Sequence, residues 1–218
     1  LLLLISTLTT QAQTYWDGTA DKNFPGEGTE ANPYLISTPE QLAGLAVRTN
    51  VDKEDFAGKY VKLTADIYLT DFSNPDQDSW KEWEPIAHSL MQWGEDVDYG
   101  YFRGHFDGAG HTIYNMYYGK GMNWAADFDP DDLDIDIGDY DFSVMNKALF
   151  GNLDGGAIEN LTLRNAKMSG VSQALLVHSA AEGSVIRNCH VQGELRATSS
   201  SSSGLVHYND GLIENCSA

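Results

Sequence analysis

The stretch GAIENLTL (156–163) returns as GSVIRNCHV (183–191) and again as GLIENCSA (211–218). Aligning on Ile-x-Asn gives four copies: Ile113-Tyr114-Asn115, Ile158-Glu159-Asn160, Ile186-Arg187-Asn188 and Ile213-Glu214-Asn215. The last three asparagines are spaced by 28 and then 27 residues. A glycine precedes each isoleucine (Gly110, Gly156, Gly183, Gly211), and an apolar pair lies upstream of the last three copies: Leu149-Phe150, Leu176-Val177 and Leu205-Val206. Self-similarity at such a period means a stacked array.

The parity of the apolar positions says which kind. After the asparagine, Leu161 and Leu163 alternate with Thr162, as Cys189 and Val191 do with His190, which is a strand with one face inward. Ile158 and Leu161 are an odd step apart, so both face inward only if the chain bends between them. Asn160 sits at the bend, and asparagine tolerates the left-handed conformation a sharp corner needs. Two short strands, an asparagine corner and a glycine turn per repeat predict an all-β parallel β-helix. Helical solenoids are rejected, because no repeat holds an uninterrupted run of 3.6-residue periodicity.

The totals narrow the partners. Thirteen Lys plus Arg stand against 32 Asp plus Glu, a formal charge of −19. That excludes nucleic acid and anionic membrane surfaces, both of which need basic patches. The first residues, LLLLISTLTTQAQ (1–13), read as the apolar core of a secretory signal and its cleavage region, with residues 1–12 removed and Gln13 the mature start. The run is too short for a membrane span, which takes about 20 apolar residues. The expectation is a secreted or outer-surface protein with no membrane insertion after signal removal. Neither cysteine, Cys189 or Cys216, is placed to carry an N-terminal lipid.

The pattern G-L-V-x-x-N-x-G-x-I-x-N-C, at Gly204 to Cys216, resembles the GLUG motif of bacterial surface proteins. GTEANPYLISTPEQLAGLA (28–46), FAGKYVKLTADIYL (56–69) and FRGHFDGAGHTIYNM (102–116) are similar to the N-terminal region of the same family, so the resemblance covers most of residues 26–218. It implies an exported protein of the kind frequent in gut Bacteroidetes, folded as a right-handed β-helix. The motif also occurs in IgA-specific metallopeptidases, outside their catalytic domain. His178 and His207 depart from it, standing where glycine usually follows Leu-Val.

Residues 13–55 read as a cap. Thr38-Pro39-Glu40-Gln41 is a capping box with proline at the first helical position, and Leu42, Leu45 and Ala46 form an apolar stripe. A short helix over about Pro39 to Thr49 would cover the open end of the first coil, whose free backbone groups invite other chains. Residues 56–218 are the rungs, with an acidic insertion near 119–147. Ala218 falls mid-rung without a cap, so the chain is expected to be truncated there.

Candidate chemistry is sparse. Cys189 and Cys216 occupy one slot a rung apart, close enough for a disulfide but poorly oriented, which favours free packing thiols. His178 and His207 also stack; zinc wants three or four ligands, so a side-chain ladder is favoured. ADFDPDDLDIDIGDYDF (126–142) carries Asp127, Asp129, Asp131, Asp134 and Asp136 and could gather calcium, yet it lacks the EF-hand pattern, and a solvated acidic loop is the simpler reading. Trp80, Trp83, Trp93, Tyr99, Tyr101, Tyr114, Tyr117, Tyr118 and Trp124 crowd residues 80–124, either as an exposed platform for sugars or a partner, or as a buried satellite core. Ser199–Ser203 reads as a loop between rungs, and the glycosylation patterns at Asn160 and Asn215 as chance matches on corners.

No catalytic signature is found, no site residue is assigned, and no cofactor is required, with calcium the one candidate ion. These readings converge on a monomeric, non-catalytic module of a surface protein that binds a glycan or an extracellular protein. The alternatives are the leader of a larger surface protein such as a peptidase, and a polysaccharide-active enzyme.

Overall fold

The computed structural model describes residues 13–90, 98–119, 147–170, 172–197 and 202–218. The leader at 1–12 and the Asp-rich stretch at 126–142 lie outside them. Among the described residues the chain is mostly β, and parallel pairing dominates. The first sheet takes Tyr34–Ile36, Tyr60–Leu63, His105–Asp107, Ala157–Glu159, Val185–Arg187 and Leu212–Glu214, in that order. The second runs through Ile67–Tyr68, Thr112–Tyr114, Thr162–Gly170 and His190–Ala197, with Tyr117–Tyr118 also pairing on the third of these. The third holds Phe150–Leu153, Val177–Ala180 and Val206–Asn209, and Ile86 bridges to Phe150 at its edge. Ser89–Leu90 and Asp98–Tyr99 form an antiparallel pair.

The registers line the apolar residues up in columns. Val61, Phe106, Ile158, Ile186 and Ile213 are successive partners in the first sheet. Ile67, Ile113, Leu163 and Val191 are partners in the second. Ile86, Phe150, Val177 and Val206 complete the third. All belong to one core cluster except Ile213 at the last strand, which is 36% exposed. Each column buries its side chains against the strands above and below, so period-two alternation and rung-to-rung register specify each other.

One sequence alignment is corrected here. Ile113-Tyr114-Asn115 does not align with Ile158-Glu159-Asn160; Ile113 pairs with Leu163, one strand later. The true counterpart of Ile158 is Phe106. It escapes the Ile-x-Asn pattern because its turn is made by Ala109 and Gly110, both at positive φ, with no asparagine. Asn115 is instead a second kind of corner, matched by Asn165.

The corners themselves form as anticipated. Asn160, Asn188 and Asn215 have φ of 54°, 53° and 51°, the left-handed conformation. Their amides then form a ladder: Asn188 Nδ2 donates to Asn160 Oδ1 at 3.0 Å and Asn215 Nδ2 to Asn188 Oδ1 at 3.4 Å. Asn160 Nδ2 continues it to Asp107 Oδ1 at 2.9 Å. Asn188→Ala is therefore expected to cost about 2 kcal/mol, roughly half from the strained φ and half from the broken ladder. Asn188→Gly keeps the backbone and should cost less, a difference that urea midpoints at constant slope would read. The glycine role is mixed: Gly183 turns the chain at φ 85°, whereas at Gly156 a side chain would meet the Phe102 and Gly104 carbonyl oxygens at 2.8 Å.

Outward positions of the first sheet carry charge in register. Lys62 pairs with Asp107 at 3.4 Å, and Arg187 pairs with Glu159 and Glu214 at 2.7 and 2.8 Å. His105 Nε2 also meets Glu159, at 2.6 Å. Single exposed pairs are worth little, but a slipped register would set like charges together.

Helix α1 spans Pro39–Asn50. Thr38 Oγ1 accepts from the Gln41 N–H at 3.2 Å, and Gln41 Oε1 reaches back to the Ser37 N–H at 2.9 Å, one residue earlier than in the usual capping box. Leu42, Leu45 and Ala46 are buried in the core cluster. The last turn of the helix fixes residues 85–88. The Ala87 N–H donates to Thr49 Oγ1, Asn50 Oδ1 accepts from the His88 N–H, and Asn50 Nδ2 donates to the Pro85 carbonyl.

Candidate functional site

The aromatic cluster divides into a buried part and an exterior row. Trp83 is 2% exposed, with its indole N–H on the Leu149 carbonyl at 3.2 Å. Tyr117 and Tyr118 are buried as well, and Trp80 and Phe72 pack on Tyr117. Trp83 and Tyr118 belong to the main core cluster rather than to a satellite of it. Trp93, Trp124 and the side chain of Tyr99 lie outside the described residues.

Tyr114 behaves differently. Its ring stacks on Tyr68, centroids 4.7 Å apart and 4° from parallel, and Tyr15 meets Tyr68 edge-on at 6.3 Å. Arg164, the next in register after Tyr114, is exposed. Stacking covers one face of each ring, and the row carries three phenol hydroxyls with the Arg164 guanidinium next in register. Burial, with Tyr114, Asp66 and Tyr15 nearby, pushes the Tyr68 hydroxyl pKa above its usual value, so it is a neutral donor at physiological pH. The signal for this row was present as the repeated Ile-Tyr of 67–68 and 113–114.

A second feature is a cleft of about 300 Å³ between helix α1, residues 16–20 and residues 83–88. Trp16, Ala20, Ala43, Ala46, Val47 and Trp83 make its walls mainly apolar. The two indoles meet edge-on at 5.6 Å. Asn50, Glu84 and His88 supply the polar lining. His88 Nδ1 pairs with Glu84 Oε1, and the buried Lys147 ammonium lies 2.9 Å from Glu84 Oε2. Burial raises the Glu84 pKa, but the hydrogen bond from His88 and the charge of Lys147 outweigh it, so the carboxyl sits below its usual range. Half of the Glu84 side chain still faces solvent. Sequence reasoning missed this cleft, since Lys147 is 63 residues from Glu84 and no motif links them.

The stacked histidines are as anticipated from the sequence. The His178 and His207 rings lie 5.1 Å apart, 17° from parallel, and Tyr208 meets both. His178 Nε2, His207 Nδ1 and the nearby His88 Nε2 are buried without a hydrogen-bond partner. The glycine of the motif appears one strand earlier, at Gly151, where a side chain would sit 2.4 Å from the Ala87 carbonyl oxygen. Histidine occupies the strands beyond that close approach. Among the described residues, no group of three or more His, Cys, Asp or Glu is placed to hold a metal ion. The aspartates Asp127, Asp129, Asp131, Asp134 and Asp136 lie outside that set.

Cys189 and Cys216 are free thiols, one buried and one half-buried. Cys216 Sγ accepts the Cys189 N–H at 3.4 Å, which is packing rather than pairing. Burial pushes the Cys189 thiol up to about 12, so it is no nucleophile. Asn160, in one of the two glycosylation patterns, is a corner held in the asparagine ladder. The serine run is only in part a loop: Ser202–Ser203 pair with Gln173–Ala174.

No helix among the described residues is long and apolar enough to cross a membrane. No family model matches the chain, and no solved structure matches it. Among curated proteins it is similar to Halomucin of Haloquadratum walsbyi, with 30% identity over 209 residues that make up 93% of this chain and 2% of that protein. The chain thus resembles a small part of a much longer relative.

Proposed function

We propose that this chain is a right-handed parallel β-helix of the GLUG type, exported, capped by helix α1, and acting as a non-catalytic binding module of a bacterial surface protein. The three parallel sheets with in-register columns and asparagine corners support the solenoid reading. Similarity to a protein named Halomucin supports an extracellular or surface location. The observation that carries the binding role is the outward row Tyr15, Tyr68, Tyr114 and Arg164. Donors repeated at strand spacing, about 4.8 Å apart, suit a polymer with a repeating polar edge, and a glycan is the polymer that fits.

A glycan and glycoprotein array probed with the whole chain, with calcium and with a chelator, tests this. Tyr114→Phe, which removes only a hydroxyl, and Arg164→Ala should each weaken a glycan signal by about tenfold, the value of one good hydrogen bond to a charged or polar ligand. Calcium dependence would bring the 126–142 stretch into recognition. Turnover of the bound polysaccharide would replace this reading with an enzyme. The leader reading gains from the 2% coverage of the longer relative, and an array with no signal would favour it.

A further inference from the structure

The Trp16–Trp83 cleft shares no residue with the tyrosine row, and its chemistry points to a different ligand group. We propose that it receives the side chain of a lysine presented by a partner protein, with the alkyl stem along the indoles and alanines and the ammonium on Glu84. This rests on the reading of the chain as a binding module and names a second kind of partner for it.

The lining sets the requirement. The walls are apolar, which suits a (CH₂)₄ stem that gains by leaving water. Trp16 and Trp83 both line the space, and with Trp83 2% exposed the indole offered to an ammonium is that of Trp16. Glu84 is the one carboxylate in the lining. Its two oxygens each hold one internal partner, His88 and Lys147, and a carboxylate accepts about four hydrogen bonds. The same doubling occurs elsewhere in this chain, where Glu159 serves both His105 and Arg187.

The internal partners also decide between lysine and arginine. A guanidinium fork wants both carboxylate oxygens in one plane, and His88 and Lys147 already occupy one direction on each. A compact ammonium needs only one free lone pair. Asn50 offers no competing contact, since its amide is used by Pro85 and His88. The net charge of −19 favours approach of a basic partner over an acidic one.

The test uses the whole chain and the indole N–H resonances of Trp16 and Trp83, titrated with two blocked tripeptides, Gly-Lys-Gly and Gly-norleucine-Gly, and with pentylamine. The lysine peptide should move both resonances and bind about tenfold more tightly than norleucine, the share of one charge-assisted contact. Glu84→Gln should erase that preference. Val47→Trp, which fills the cleft from the helix surface, should abolish both responses while the melting temperature shows the chain still folded. Equal binding of the lysine and norleucine peptides would overturn the assignment, as would no response to either or an unaffected Val47→Trp variant. Pentylamine binding more tightly than the lysine peptide would overturn the side-chain source and make a free amine the ligand. None of these failures touches the effect of Tyr114→Phe and Arg164→Ala on the glycan signal, which reads a different surface.

Discussion

Replacing Phe106 with alanine is expected to cost about 3–5 kcal/mol, the range for removing a fully buried aromatic ring. Phe106 is 0% exposed and stands in the first-sheet column between Val61 and Ile158. Its ring meets Phe150 of the third sheet edge-on at 5.2 Å, so it joins two sheets as well as three strands. The cavity cannot close, because the strands above and below are held at fixed spacing by their backbone hydrogen bonds. Ile213→Ala is the internal control. It occupies the same column at the last strand, 36% exposed, and should cost clearly less, about 1–2 kcal/mol. Urea unfolding of both variants decides the matter, read as midpoints at unchanged slope. Equal losses would mean that the column is no continuous core.

Phe106 also shows where the sequence was readable and where it was not. The repeat, the inward positions and the asparagine corners could be found because Asn160, Asn188 and Asn215 each solve the same local problem with the same residue. At Phe106 the problem is solved by Ala109 and Gly110 instead, so the identical structural position carries no matching letters. Asn115 then attracted the alignment, and it is a corner, but of the next sheet, where it hydrogen-bonds Asn165. Local chemistry identifies a corner; only the backbone register tells which one. The helix was legible down to its cap, since capping is local too.

The candidate sites fared differently for the same reason. Residues 80–124 are rich in aromatics, but richness does not say which ring is covered. Trp83 went inside against Trp16, from 67 residues away in sequence, while Tyr114 went outside onto Tyr68. The repeated Ile-Tyr could have revealed the second pairing, because one residue of each pair must face in and the next out. Nothing comparable marked Glu84, His88 and Lys147, whose meeting depends on how helix α1 ties down residues 85–88.

The histidine stack has a consequence for stability against pH. His178 is 7% exposed, and burial pulls its pKa down to about 4, with His207 and His88 adding their charge to the effect. Those two imidazoles and the Tyr208 ring are the groups that face it, and the orphaned Nε2 has no acceptor to stabilise a proton. In the unfolded chain the same imidazole titrates near 6.5. Between pH 6.5 and 4 the unfolded state therefore binds the extra proton and the folded state does not. By linkage, stability is full above about 6.5, falls as the pH drops through that window, and levels below 4, with a total loss of roughly 3 kcal/mol. Carboxylates held low in the folded state, Asp55 and Asp107 among them, add to the loss only nearer their own ordinary range, so pH 5–6.5 belongs to His178. His178→Phe keeps a ring to stack on His207 and removes the titration. Its unfolding free energy should be flatter than that of the parent between pH 5 and 6.5 by about one proton's slope, near 1.4 kcal/mol per pH unit at most. Identical slopes in the two proteins would mean that His178 finds a partner in solution and charges as readily folded as unfolded.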